Sequence, residues 1–145
     1  MMSCDISKEA IEVARKNAEA LGTDVEFVVS DILNEEEWRK FPQLDIIISN
    51  PPYIPASDKL TMSSNVVNHE PHLALFVPDN NALLFYQVIV NLARRNLKPG
   101  GFIYFEIHEG LATAVTSLLK DQQFVDVIVR KDMQGKDRMV RCSRK

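Results

Sequence analysis

The sequence predicts an α/β fold: a mostly parallel sheet covered by helices, with an antiparallel hairpin at its end. Three observations carry this. Short apolar runs rich in β-branched and aromatic residues, "VEFVV", "LDIIIS", "FIYFEI" and "FVDVIV", recur along the chain. Segments with apolar residues at helical spacing separate most of them, as crossover connections between parallel strands require. The last run is followed by "DMQGKD" and then "RMVRC", a turn between two strands with no room for a helix.

In chain order, Ala10, Ile11, Ala14, Ala18 and Leu21 define a helix from Ser7 to Leu21, with Ser7 placed to cap its start and Gly22 to stop it. "VEFVV" (25–29) is a buried strand that Ser30 and Asp31 end before the polar, acidic "NEEEWRK", and "LDIIIS" (44–49) is a second. Residues 54–79 show neither period, contain three prolines and far exceed the usual connection of about 4–6 residues, which marks a functional or disordered loop. Helical spacing resumes at Leu84, Phe85, Val88, Ile89, Leu92, Ala93 and Leu97, and "KPGG" (98–101) stops it before the strand 102–107. Leu111, Ala114, Val115, Leu118 and Leu119 mark a further helix, followed by strand 124–129, the turn 132–137 and the closing strand. In such sheets ligands bind outside the carboxyl ends of the strands.

A chain of 145 residues fits one domain with a real core. With 46% apolar residues, 26% charged and a net charge of −3, it has neither the basic excess of a nucleic-acid binder nor the composition of a disordered chain. Cys4 and Cys142 lie near opposite ends without CxxC spacing, so no disulfide framework or zinc site is indicated. His69 and His72 flank Pro71, which prevents a regular helical pair, and no third ligand is evident; no metal is expected. No apolar run approaches the roughly 20 residues needed to cross a bilayer, and "MMSCDISKEA" lacks the regions of a signal peptide, so a cytoplasmic protein is expected.

The most informative stretch is "DIIISNPPYIP" (45–55), an apolar strand that ends abruptly at Asn50. Pro51 biases Asn50 away from the helical region, and Pro52 does the same to Pro51, so the backbone leaves the sheet extended with carbonyls unpaired. The Asn50 side-chain oxygen and the Pro51 carbonyl are then two acceptors beside the Tyr53 ring, matched to the two N–H bonds of an amide or exocyclic amine. Holding both leaves the nitrogen's electron density aimed at an electrophile, and the acceptors stabilise positive charge that grows there. A strand-to-loop exit with no chemistry is the plain alternative; the terminal aromatic, the preceding "DIII" and the long loop favour chemistry.

With its surroundings, the stretch resembles motif IV of amino-directed, S-adenosylmethionine-dependent methyltransferases. "EAIEVARKNAEALG", "SDIL", "HEPHLALF", "LLFYQVIVNLARRNLKPGGFIYFEI" and "KDMQGKDRMV" extend the likeness over nearly the whole chain to the HemK/PrmC-type protein glutamine methyltransferases. The resemblance implies a Rossmann-like class I methyltransferase sheet and methylation of the glutamine amide in the Gly-Gly-Gln motif of peptide chain release factors. It assigns Asn50, Pro51, Pro52 and Tyr53 to the substrate amide, Asp5 with Ile6 to the cofactor ribose, Asp31 with Ile32 to the adenine, Asn50 also to the cofactor, and Glu70-Pro71 to the substrate side. Glu106 and His108 read as local structure. Asp5 and Asp31 also have simpler readings, as a helix-start carboxylate and as the opening of an acidic turn.

One departure stands out. The family pattern opens with a strand ending in a glycine-rich turn and is preceded by a helical domain, whereas this sequence starts at what matches the second strand. The expectations that follow are an incomplete catalytic domain over 1–145, unpaired edges where a central strand would lie, weak cofactor binding by this chain alone, and a homodimer covering the open edge. An amino-directed nucleic-acid methyltransferase and a non-catalytic protein-binding remnant are the alternatives; the charge of −3 disfavours the first and the intact "NPPY" the second.

Overall fold

A computed structural model describes residues 1–57 and 74–145, which group into two compact units, 1–40 and 41–145. In the first unit, strand β1 (Met2–Asp5) pairs in parallel with β2 (Glu26–Val29), the two joined through helix α1 (Lys8–Ala20). Ser7 caps α1 as expected, its Oγ accepting the Ala10 N–H at 3.1 Å, and Gly22 leaves the helix at φ +62°, a conformation open to glycine at little cost. Ile11 fills the helix's buried stripe. The segment "EEEWRK" is not a bare polar turn but a 3-10 helix (Glu35–Lys40). Trp38 accounts for it: the indole is 3% exposed and donates its N–H to the Ile32 carbonyl at 2.8 Å, so burial of one large side chain orders a charged run.

The second unit holds a four-stranded sheet in the order β3 (Leu44–Ser49), β6 (Leu97–Glu106), β8 (Asp137–Arg144), β7 (Phe124–Lys131). β3 and β6 are parallel, β8 is antiparallel to both of its neighbours, and the closing hairpin is as expected. Helices α2 (Leu84–Asn96) and α3 (Ala112–Asp121) supply Tyr86, Ile89, Val90, Val115 and Leu119 to the core around Ile103, Phe105, Val140 and Cys142. Burial pushes the Cys142 thiol up to about 12, which keeps it protonated and inert.

Three expectations change here. β6 begins at Leu97, so "KPGG" lies inside the strand, in an irregularity where Leu44 pairs with Leu97 and Ile46 with Phe102. Gly101 sits at its tightest point: a Cβ there would come within 2.8 Å of the Asp45 carbonyl oxygen and of Leu97 Cγ. Gly101→Ala is therefore expected to cost about 1–3 kcal/mol, read by chemical denaturation, because strand backbone cannot give way as a flexible side chain can. Second, the 54–79 stretch is not free of strand: β4 (Ile54–Pro55) and β5 (Phe76–Val77) form a parallel pair, too short to leave a period in the sequence. Third, among the described residues the sheet is not covered on both faces. Pairing puts Ile46 and Phe102 on one face, with Ile48, Tyr104, Arg141 and Ile128 beside them, and Ile46, Ile48, Tyr104 and Ile128 are 52, 78, 38 and 43% exposed. The Arg141 guanidinium lies 5.2 Å from the centre of the Phe102 ring and shields part of this face.

Candidate active site

Asn50 follows the last residue of β3, at the carboxyl end of the strand, and is exposed; Pro51 is buried and Pro52 and Tyr53 half-buried. With no N–H on either proline, nothing in the dipeptide can donate to the sheet. Among the described residues neither the Asn50 side chain nor the Pro51 carbonyl makes a hydrogen bond. The chain is gathered again just beyond, where the Ile54 N–H donates to the Leu75 carbonyl at 3.1 Å and the Ser57 N–H to Asp79 Oδ1 at 2.7 Å. Glu70, Pro71, His69 and His72 lie outside the described residues.

The end of β6 borders Tyr53. The His108 ring centroid is 5.9 Å from that of Tyr53 at an interplanar angle of 51°, and the Tyr86 hydroxyl donates to the Glu106 carbonyl at 3.0 Å. Burial first, then the charges of Tyr53 and Glu106, hold the Tyr86 phenol well above its ordinary value, so it stays a proton donor and cannot serve as a base. The closing hairpin reaches the same place. Arg138 gives its Nη1–H to the Ile107 carbonyl at 3.3 Å and accepts the Ile107 N–H at 2.9 Å on its own carbonyl, while its Nε–H meets Asp132 Oδ2 at 3.3 Å. Lys136 pairs with Glu109 at 3.0 Å.

Asp132 organises the turn of that hairpin. The Lys136 backbone N–H is the main cause holding its carboxyl below the usual range, with the Gln134 N–H and Arg138 adding to it. A carboxylate whose folded value is depressed adds stability above its unfolded value, ordinarily about 3.9, and loses it as pH falls through the lowered one. The hairpin turn is thus expected to hold above pH about 4 and loosen in stronger acid, seen as faster exchange of the Gln134 and Lys136 amides relative to core amides.

In the first unit, the parallel pairing brings the ends of β1 and β2 to one side. Asp5 closes β1, exposed, with Oδ1 accepting the Ser7 N–H at 2.8 Å; exposed Ile6 follows it. Asp31 lies just past β2, its Oδ1 accepting the Leu33 N–H at 2.9 Å, with half-buried Ile32 beside it. The Asp31 backbone is held by Glu37, whose Oε2 accepts the Ser30 hydroxyl at 2.9 Å and the Asp31 N–H at 3.2 Å and pairs with Lys40 at 2.7 Å. No motif or spacing in the sequence singles out Glu37, Tyr86 or Arg138. Only a serine before Asp31 and a glutamate a turn and a half later hinted at the first.

Comparison with known proteins gives consistent findings. The family model described as a methyltransferase domain matches residues 1–140. The chain is 41% identical over 143 residues to the release factor glutamine methyltransferase of Flavobacterium psychrophilum, covering 99% of this chain and 50% of that protein. It is 43% identical over 140 residues to that of Bacteroides thetaiotaomicron, covering 97% and 50%. The chain thus spans about half the length of these relatives. In fold it resembles the crystal structure of an S-adenosylmethionine-dependent O-methyltransferase from Thermotoga maritima, with a TM-score of 0.67 at 12% identity, covering 99% of this chain and 49% of that one. Among the described residues no helix is long and apolar enough to cross a membrane.

Proposed function

The chain belongs to the methyltransferase-domain family, and on that footing we propose that it methylates the side-chain amide nitrogen of the glutamine in the Gly-Gly-Gln motif of peptide chain release factors, in the cytoplasm, with S-adenosylmethionine as donor. The observation that carries this is the pair of acceptors Asn50 Oδ1 and the Pro51 carbonyl, which make no hydrogen bond among the described residues and lie just past the carboxyl end of β3, close to Tyr53 in the chain. Relatives named for this activity at 41 and 43% identity support the choice of substrate.

Bound S-adenosylmethionine supplies a methyl group attached to a positively charged sulfur. The carboxylates of the first unit suit such a group. Asp5 and Asp31 each commit Oδ1 to a nearby backbone N–H, and among the described residues each Oδ2 makes no hydrogen bond, leaving one acceptor for ribose hydroxyls and one for an adenine amine. Ile6 and Ile32 offer apolar contact beside them. On the acceptor side, Asn50 and Pro51 take the two amide N–H bonds and Tyr53 packs on the amide plane, with Pro52 holding the turn and Glu70-Pro71 shaping the substrate side. Charge that develops on the nitrogen meets fixed acceptors, so no base is needed before attack and the proton leaves afterwards to solvent.

The test is methyl transfer from labelled donor to a purified release factor, with a release factor carrying Gln→Glu in Gly-Gly-Gln and an adenine-containing oligonucleotide as parallel arms. Label confined to the intact glutamine is the expected result. Label on the oligonucleotide would move the activity to nucleic acid, and none on any arm would favour a binding role.

We propose in addition that a second copy of the chain covers the open edge of β3. Among the described residues β3 pairs only with β6, and "LDIIIS" carries no lysine or proline to blunt its free edge. Light scattering should give twice the chain mass; a monomer at micromolar concentration removes the proposal.

A further inference from the structure

We propose that His108 is a positioning residue: it holds the Tyr53 ring at the angle from which that ring orients the substrate amide. This rests on the reading of Tyr53 as the ring that packs on the amide, and deepens it. Four observations converge on His108. Its ring meets Tyr53 at 5.9 Å and 51°, within the range of favourable tilted aromatic pairs. The ring does not swing freely, because Nδ1 accepts the Gly110 N–H at 3.1 Å and so caps the short turn Glu109–Leu111. In the neutral imidazole that bond places the proton on Nε2. Gly110 fits closely over the ring, since a Cβ there would stand 3.2 Å from Nδ1.

The backbone on both sides of His108 is held from elements distant in sequence. Tyr86 on α2 donates to the Glu106 carbonyl, Arg138 on β8 binds Ile107 through both a donated and an accepted hydrogen bond, and Lys136 of the hairpin pairs with Glu109. Ile107 is fully buried while His108 is exposed. A strand end needs only its own ladder to persist. Here one exposed ring is fixed from α2, from the hairpin and from its own cap, and what it touches is Tyr53. An error of about 1 Å in the placement of a reacting group costs on the order of 10²-fold in rate, so a fixed Tyr53 ring matters to catalysis.

Two variants separate the ring from the cap. His108→Asn keeps an oxygen that can accept the Gly110 N–H but removes the ring; His108→Phe keeps a ring and loses the acceptor. In the free protein, the aromatic proton resonances of Tyr53 should shift and broaden in His108→Asn and change little in His108→Phe, while thermal midpoints stay close to that of the parent chain. On the release factor substrate, His108→Asn should lower kcat about 10-fold with KM nearly unchanged, and this loss should vanish when Tyr53 is already alanine. Unchanged Tyr53 resonances in His108→Asn overturn the proposal, as does an equal loss of kcat in the Tyr53→Ala background. A parent chain that fails to methylate the release factor sinks the functional reading instead, and the Tyr53 resonances alone then decide whether His108 places the ring.

Discussion

Replacing Asn50 with alanine is expected to lower methyl transfer to the release factor by about 10²- to 10³-fold in kcat, the range seen when one preorganised polar partner of a developing charge is removed. On the proposed mechanism the loss falls on kcat, because charge on the amide nitrogen would grow only during transfer and the side-chain oxygen would stabilise the transition state more than the bound substrate. Stability should change little. Asn50 is exposed and its side chain makes no hydrogen bond among the described residues, so alanine leaves no buried group unpaired. Single-turnover methylation followed by mass spectrometry, with a denaturation curve of the same sample, checks both halves. Retention of near-parental kcat would remove Asn50 from the mechanism.

The largest stability effect is expected at Phe105, where alanine should cost about 3–5 kcal/mol. Phe105 is 2% exposed, meets the Tyr86 ring edge to face at 5.2 Å and 89°, and is paired with Ser49 on β3 and Val140 on β8. Truncation removes buried area, the aromatic pair and the filling of a space between two neighbouring strands and α2, none of which can collapse inward without moving backbone. Because Ser49 is its partner and Asn50 the next residue, the loss should also loosen the strand end that presents the acceptors. Ile48→Ala is the control: the side chain is 78% exposed, and a change within about 0.5 kcal/mol is expected by urea titration. Equal costs at the two positions would mean that the assignment of sheet faces is wrong.

Much of this fold was legible because its rules are local. The Ser7 cap, the stop at Gly22, the period of Leu84–Asn96 and the β-branched run Leu44–Ser49 are set by residues within a turn or two of one another, and they lie where the sequence predicts. Long-range events were not legible. Nothing near "KPGG" says that β6 runs back to Leu97, since that depends on Leu44 pairing across the sheet. "EEEWRK" reads as solvated charge until Trp38 finds the Ile32 carbonyl. The face of Ile46, Ile48 and Tyr104, exposed among the described residues, looks in sequence like any strand buried on both sides, because an apolar run records only what a strand would bury.

The same division runs through the candidate site. Two consecutive prolines after Asn50 remove two N–H donors and restrict the backbone by covalent geometry alone, so the lack of backbone donors just past β3 is determined by the sequence itself. Where the Tyr53 ring lies was decided only by the tertiary structure. Its angle depends on His108 at the end of another strand, held in turn through Ile107 by Arg138 on the closing hairpin. Steric limits on a peptide bond act within a residue or two, whereas the packing of one ring on another exists only after the sheet has brought distant segments together.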